Sequence, residues 1–171
     1  HRNYYDGGRY VHLTAGVPSP DADPAACRAV YIRNIQTAAH HFAPHGITVL
    51  VEPINRRDSP GYYINRQDHA IEILDAVNEP NARLQMDIYH CQIVEGDVAE
   101  KIRQNFARIA HFQIAGVPER FEPDTGEANY PYLFDLIDEL GFKGWVGCEY
   151  RPKGDTAAGL GWAAPYEVTP V

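Results

Sequence analysis

Five short apolar runs, separated by segments of helical periodicity, constrain this chain more than any other feature. The runs cover residues 10–15, 48–52, 84–88, 110–114 and 145–150. Each has the usual length of one β-strand. Helical patterns fill the gaps. Asp23-Pro24 reads as an N-cap followed by proline at the first helical position. Val30, Ile35, Ala38, Ala39 and Phe42 then fall toward one side, and the pattern stops before Pro44 and at Gly46. Asn65 followed by Asp68 reads as a second capping arrangement, with Ala70, Ile71, Leu74 and Val77 sharing a face. A third helix is expected over 97–106 with Val98 and Ile102 buried, and a fourth carries Leu133, Leu136, Ile137 and Leu140 up to Gly141.

This strict alternation predicts an α/β fold with a parallel sheet and helices on its faces, one domain over 1–171. Two architectures satisfy it: an open doubly wound sheet, or part of a closed (β/α)8 barrel. A full barrel usually needs ~250 residues, so a length of 171 favours the open sheet. The strand contents favour the barrel. Strands buried under helices on both faces read as nearly continuous apolar runs. These do not: one ends in Glu52, the next carries Gln85 and Asp87, the next His111 and Gln113, and the last ends with Glu149.

Four successive strands thus deliver a polar side chain near their C-terminal ends, where barrels build their sites. Burying such a group without a partner costs about 2–7 kcal/mol, and three carboxylates repel one another. A central cation removes both problems. Glu52, Asp87, Gln113 and Glu149 offer only oxygen, a set suited to Mg2+ or Mn2+ over zinc or copper.

Composition excludes other classes. The net charge of −8 leaves no basic face for nucleic acid and disfavours an anionic membrane surface. No run approaches the ~20 apolar residues that span a bilayer. Cys27, Cys91 and Cys148 form no C-x-x-C pair, which fits a reducing, cytoplasmic setting.

Several ordered motifs resemble the hydroxypyruvate isomerase family of the xylose-isomerase-like barrel superfamily. They are Val11-His-Leu-Thr-Ala-Gly16, Leu50-Val-Glu-Pro-Ile-Asn55, Gln85-Met-Asp-Ile-Tyr-His90, His111-Phe-Gln-Ile-Ala-Gly116 and Pro118-Glu-Arg-Phe-Glu-Pro123. Gly126-Glu-Ala-Asn-Tyr-Pro131, Gly144-Trp-Val-Gly-Cys-Glu-Tyr150 and Gly159-Leu-Gly-Trp162 complete the set. The resemblance implies a partial (β/α)8 TIM barrel of about five strands, strands four to eight, with strands one to three outside this sequence. Residues 1–9 lack the look of the helix that precedes strand four in that family.

The resemblance further implies metal-dependent interconversion of hydroxypyruvate and tartronate semialdehyde. Glu52 and Glu149 would be both acid–base residues and metal ligands, and Asp87 and Gln113 ligands only. Glutamine at 113, where related epimerases carry histidine, weakens an epimerase assignment. His90, on the loop leaving its strand, is a candidate donor to a substrate oxygen. Arg120 is a candidate partner for a substrate carboxylate, and His12 a candidate substrate contact, with His111 pointing inward beside it. Asn55, Arg56 and Arg57 read as a solvated loop at the mouth. Trp145 and Trp162 read as core or lid packing, and Cys148 as a buried helix-facing residue. A 2-oxo-tetronate isomerase, or a non-catalytic piece of such a barrel, would share these residues, whereas an endonuclease on the same barrel is disfavoured by charge. The expected partner is a small hydroxy-carbonyl acid, and open barrel edges predict that the chain associates with copies of itself, borrows the missing strands or is one part of a longer molecule.

Overall fold

The structure, a computed structural model, describes residues 8–166. Most of the stretch 1–9 singled out above lies outside it. Five strands alternate with helices: β1 (Tyr10–His12), α1 (Pro24–Phe42), β2 (Thr48–Val51), α2 (Gln67–Val77), β3 (Ala82–Asp87), α3 (Ile88–Val94), α4 (Val98–Asn105), β4 (Ile109–Ile114), α5 (Tyr130–Glu139) and β5 (Trp145–Cys148). Short 3-10 turns cover Ala43–His45, Phe106–Arg108 and Ala158–Tyr166.

All strands are parallel and lie in the order β1-β2-β3-β4-β5. A doubly wound sheet reverses its strand order at a switch point. Here each strand adds to the same side of the last, the winding of a barrel, and the sheet curls as a half-barrel. No helix of the described residues is long and apolar enough to cross a membrane.

Side chains on each strand alternate between the helices and the concave face. Val49, Val51, Leu84, Met86, Phe112 and Ile114 enter the main core with Ile35, Ile73, Leu74, Ile102, Leu133 and Ile137 of the helices. Leu50, Glu52, Gln85, Asp87, His111 and Gln113 are left to the other face. Phe112 is fully buried, edge-on to Phe142 at 4.9 Å.

Local chemistry sets the element ends. Asp23 caps α1, its carboxylate accepting from the Ala25 and Ala26 amides (both 3.2 Å). Gly46 closes the turn after α1 in the left-handed region at φ 65°.

Several expectations are corrected. The cap of α2 is Arg66, which makes no side-chain cap bond, rather than Asn65. The distant Glu95 carboxylate instead accepts from the Gln67 amide at 2.6 Å. Ile73 takes the buried place expected of Ile71. On α1, Tyr31 is buried while Val30 is 44% exposed, one helical step of phase. Residues 88–94 form a helix that sequence periodicity did not reveal. Trp145 is 73% exposed on the outermost strand, and Cys148, although on the helix-facing side beside Ile114 and Ile137, is exposed. Trp162 does pack against the core.

Phe112→Ala removes a ring from the centre of this core and is expected to lower the unfolding free energy by about 3–5 kcal/mol in urea titration. A loss below about 1 kcal/mol would contradict the packing described.

Candidate active site

The site is built where strands end. Glu52 directly follows β2, Asp87 is the last residue of β3, and Glu149 directly follows β5. With His90, each offers one ligand atom, and these atoms all lie within 4.8 Å of one another. Glu52, Asp87 and His90 are buried, whereas Glu149 is exposed.

Asp87 does two jobs. Its Oδ1 accepts from the Tyr89 amide at 2.8 Å and so caps α3. Its Oδ2, buried and without a hydrogen-bond partner, is left facing the cluster, as is Glu52 Oε1. Burial, reinforced by the charges of Asp87 and Glu149, pushes the Glu52 carboxyl up to about 8. Burial likewise raises Asp87 to about 7, despite the Tyr89 amide and the nearby Arg120 guanidinium. Two orphaned carboxylate oxygens turned to one point, with a third carboxylate beside them, fit a hard divalent cation.

His90 stands in the first turn of α3, not on a loop, and is 3% exposed. Its Nε2 lies 3.5 Å from Asp87 Oδ2 and 3.8 Å from Glu52 Oε1. Asn55, fully buried, fixes the ring's protonation pattern. Asn55 Oδ1 accepts from the Asp58 amide (2.8 Å), so its Nδ2 is the donor toward His90 Nδ1 (2.6 Å), joined by the Asn55 backbone amide (3.4 Å). Nδ1 therefore accepts and Nε2 carries the proton. Burial, aided by Arg120, pushes the imidazole down to about 4, so it stays neutral at neutral pH. His90 is thus placed as a neutral N–H donor into the cluster.

Gln113 lies on the concave face of β4, its amide oxygen accepting from Gln85 Nε2 at 2.5 Å. Gly147, its partner across the β4–β5 register, gives it room: a Cβ there would come within 3.0 Å of His111 Nε2 and 3.5 Å of Gln113 Cγ. His12 Nε2 stands 3.4 Å from Glu52 Oε2, and burial lowers the pKa of both His12 and His111. Arg120 holds a left-handed backbone conformation (φ 62°). Its Nη2 lies 2.7 Å from Glu149 Oε2 and 4.0 Å from Asp87 Oδ2, and its Nη1 lies 3.5 Å from Asp58 Oδ2.

Sequence reading missed three participants. Asn55 was read as solvated and is 0% exposed. Tyr89 and Asp58, which share a 2.8 Å hydrogen bond, were not singled out. The available signal was the polar run Asn55-Arg56-Arg57-Asp58 immediately after a strand end, the place where barrel loops carry function.

The buried carboxyls make stability depend on pH. Their folded pKa values exceed the ordinary ones of 4.5 and 3.8, so the folded chain keeps protons that the unfolded chain has released. For Glu52 the fold is favoured below pH 4.5 and this advantage is lost as pH rises through about 8. With chelator present, Glu52→Gln is expected to stabilise the chain by about 1–3 kcal/mol above that window and by nothing below it. A gain independent of pH would contradict a charge buried at this position.

Residues 6–166 match the sequence profile of the xylose isomerase-like TIM barrel family. The chain is 57% identical over 160 residues to the 2-oxo-tetronate isomerase of Cupriavidus necator, covering 94% of this chain and 62% of that protein. It is 38% identical over 160 residues to the hydroxypyruvate isomerase of Escherichia coli, with the same coverage of 94% and 62%. The crystal structure of an AP endonuclease, family 2, from Brucella melitensis superposes with a TM-score of 0.90 at 49% identity, over 92% of this chain and 61% of that one. The chain therefore spans about three fifths of the length of these relatives. With its half-barrel winding and its cluster at the strand ends, the chain belongs to the xylose isomerase-like TIM barrel family.

Proposed function

We propose that this chain carries the catalytic half of a metal-dependent sugar-acid isomerase, interconverting hydroxypyruvate and tartronate semialdehyde. One observation carries the reading: three carboxylates and a neutral imidazole converge within 4.8 Å at the strand ends. The two isomerase relatives support it. Identity of 57% favours a second substrate, 2-oxo-tetronate. Both acids have a carboxylate at C1, a carbonyl at C2 and a hydroxyl on C3, so one chemistry serves both.

The residues divide the work as follows. One of Glu52 and Glu149 removes the proton from C3. The electron pair moves to the C2 oxygen, giving an enediolate. A proton is then returned to C2, and the C3 hydroxyl proton passes to the C2 oxygen, which leaves a carbonyl at C3 and a hydroxyl at C2. In the cation-free chain burial holds the Glu52 carboxyl at about 8, and a bound cation beside it would bring that value down. His90 Nε2–H donates to the oxygen on which charge develops, a role that a neutral imidazole fills without adding a second acid. Glu52, Asp87, Gln113 and Glu149 would hold the divalent cation, Mg2+ or Mn2+, which supplies positive charge against the developing enediolate. Because His90 Nε2 carries a proton, the fourth ligand is left to Gln113, whose amide oxygen must then exchange its bond from Gln85. Arg120 meets the substrate carboxylate, and His12 lies beside Glu52 at the concave wall.

Nucleic acid is not the partner in this reading. Fifteen Lys and Arg stand against 23 Asp and Glu, whereas a phosphate groove needs a basic surplus. The outer strands β1 and β5 each pair on one side only among the described residues, which supports association of copies of the chain.

A coupled assay for hydroxypyruvate isomerisation, run after chelation and again with Mn2+ or Mg2+, tests the proposal. Turnover is expected only with the cation, and Glu149→Gln is expected to lower it by about 10²–10⁴-fold. Cation-independent turnover, or an active Glu149→Gln variant, would reject it. Comparing kcat/KM for hydroxypyruvate and 2-oxo-tetronate ranks the two substrates.

A further inference from the structure

Above the acidic cluster lies a basic lip contributed by three successive strand-end segments. Arg57 follows β2, Tyr89 lies in the first turn of α3 after β3, and Arg120 follows β4. Both guanidinium groups stand over the Tyr89 ring, with Cζ at 6.0 Å from its centroid for Arg57 and 4.9 Å for Arg120. Arg57 is firmly anchored. Its Nη2 donates to Tyr89 Oη (3.2 Å) and to the Pro118 carbonyl (2.8 Å), which ties the β2 loop to the loop that bears Arg120. Tyr89 Oη in turn donates to Asp58 Oδ2 at 2.8 Å.

Asp58 is shared: Arg57 Nε stands 3.7 Å from its Oδ1 and Arg120 Nη1 stands 3.5 Å from its Oδ2. Both guanidiniums thus share Asp58, and Arg120 is further paired with Glu149 at 2.7 Å, which leaves Arg57 with the weaker hold on a carboxylate. Arg57 remains 47% exposed, and its Nη1 has no hydrogen-bonded partner among the described residues. A guanidinium held by one nitrogen, open at another and set beside a like charge is poised for an anion that bridges both. The polarity of the site then orients a ligand, with its carboxylate at the basic lip and its hydroxy-carbonyl end at the acidic floor.

We propose that Arg57 completes a two-guanidinium clamp with Arg120 for the substrate carboxylate and is a specificity-determining residue for acids over neutral sugars and polyols. The inference rests on the isomerase reading above and adds the basis of its substrate class. Both candidate substrates carry the C1 carboxylate, so the clamp selects acids without ranking the two.

The test is calorimetric titration of D-glycerate, a non-isomerising acid, and of glycerol, its neutral counterpart, into the chain with saturating Mn2+. Wild type is expected to bind D-glycerate in preference to glycerol. Arg57→Gln is expected to weaken D-glycerate by about 10-fold or more, with Arg57→Lys intermediate. Mn2+ affinity, read separately by electron paramagnetic resonance, is expected to be the same in all three. Equal D-glycerate affinity in wild type and Arg57→Gln, no preference for D-glycerate over glycerol, or a changed Mn2+ affinity would each overturn the clamp. D-Glycerate binding that depends on Arg57, in a chain without isomerase turnover, would sink the isomerase reading and keep the clamp. Turnover with D-glycerate binding untouched by Arg57→Gln would do the reverse.

Discussion

Parallel pairing of successive strands in a common phase is the constraint from which the rest follows. Phe112 pairs with Met86 on one side and Val146 on the other, and all three turn toward the helices. One residue on, Gln113 pairs with Asp87 and Gly147, and that layer turns inward. Because the side-chain period is two, a slip of one residue in β2, β3, β4 or β5 would carry its polar site residue into the apolar core and its core residue into the site. Site and core are therefore specified together. Whatever holds Leu84, Met86, Phe112 and Ile114 under the helices also aims Asp87 and Gln113 at the concave face.

The site places a local burden on that fold. Glu52, Asp87 and His90 are all at most 4% exposed, and two of their carboxylate oxygens lack hydrogen-bond partners. The chain offsets part of the burden with dipoles and one cation: the Tyr89 amide on Asp87, and Arg120 between Asp87 and Glu149. It also leaves His90 neutral, so that the imidazole brings no positive charge to the carboxylates. A group of acids arranged this way is costly as a structural element and useful as a cation cradle. In the proposed clamp, Arg57 and Arg120 would set a cationic rim over this anionic floor and so receive the carboxylate of a short acid.

The elements that positioned the chemistry were legible because each obeyed a strong local rule. The strand runs, the Asp23-Pro24 helix start and the polar residues at strand ends all carry their own signal in sequence. What escaped reading depends on groups far apart in the chain. α3 is seven residues long and starts directly on the carboxylate that ends β3, so no turn separates the two periodicities. Asn55 looks like a loop residue until His90, 35 positions away, closes over it. The start of α2 is satisfied by Glu95 rather than by a neighbour, which no capping pattern reveals. Trp145 and Cys148 were expected to be covered, but β5 is the outer strand of the described sheet and neither is buried. Propensity sees neighbours along the chain, and these cases were decided across it.

The central claim is that three strand-end carboxylates, with the Gln113 amide, form one divalent-cation site whose N–H donor is His90. Anomalous diffraction at the manganese edge, from crystals of this chain grown with Mn2+, addresses it directly. The account predicts a single strong peak bounded by Glu52, Asp87, Gln113 and Glu149 oxygens, with His90 Nε2 outside the coordination sphere. A peak away from these carboxylates, or one ligated by His90 Nε2 in place of Gln113, would contradict it.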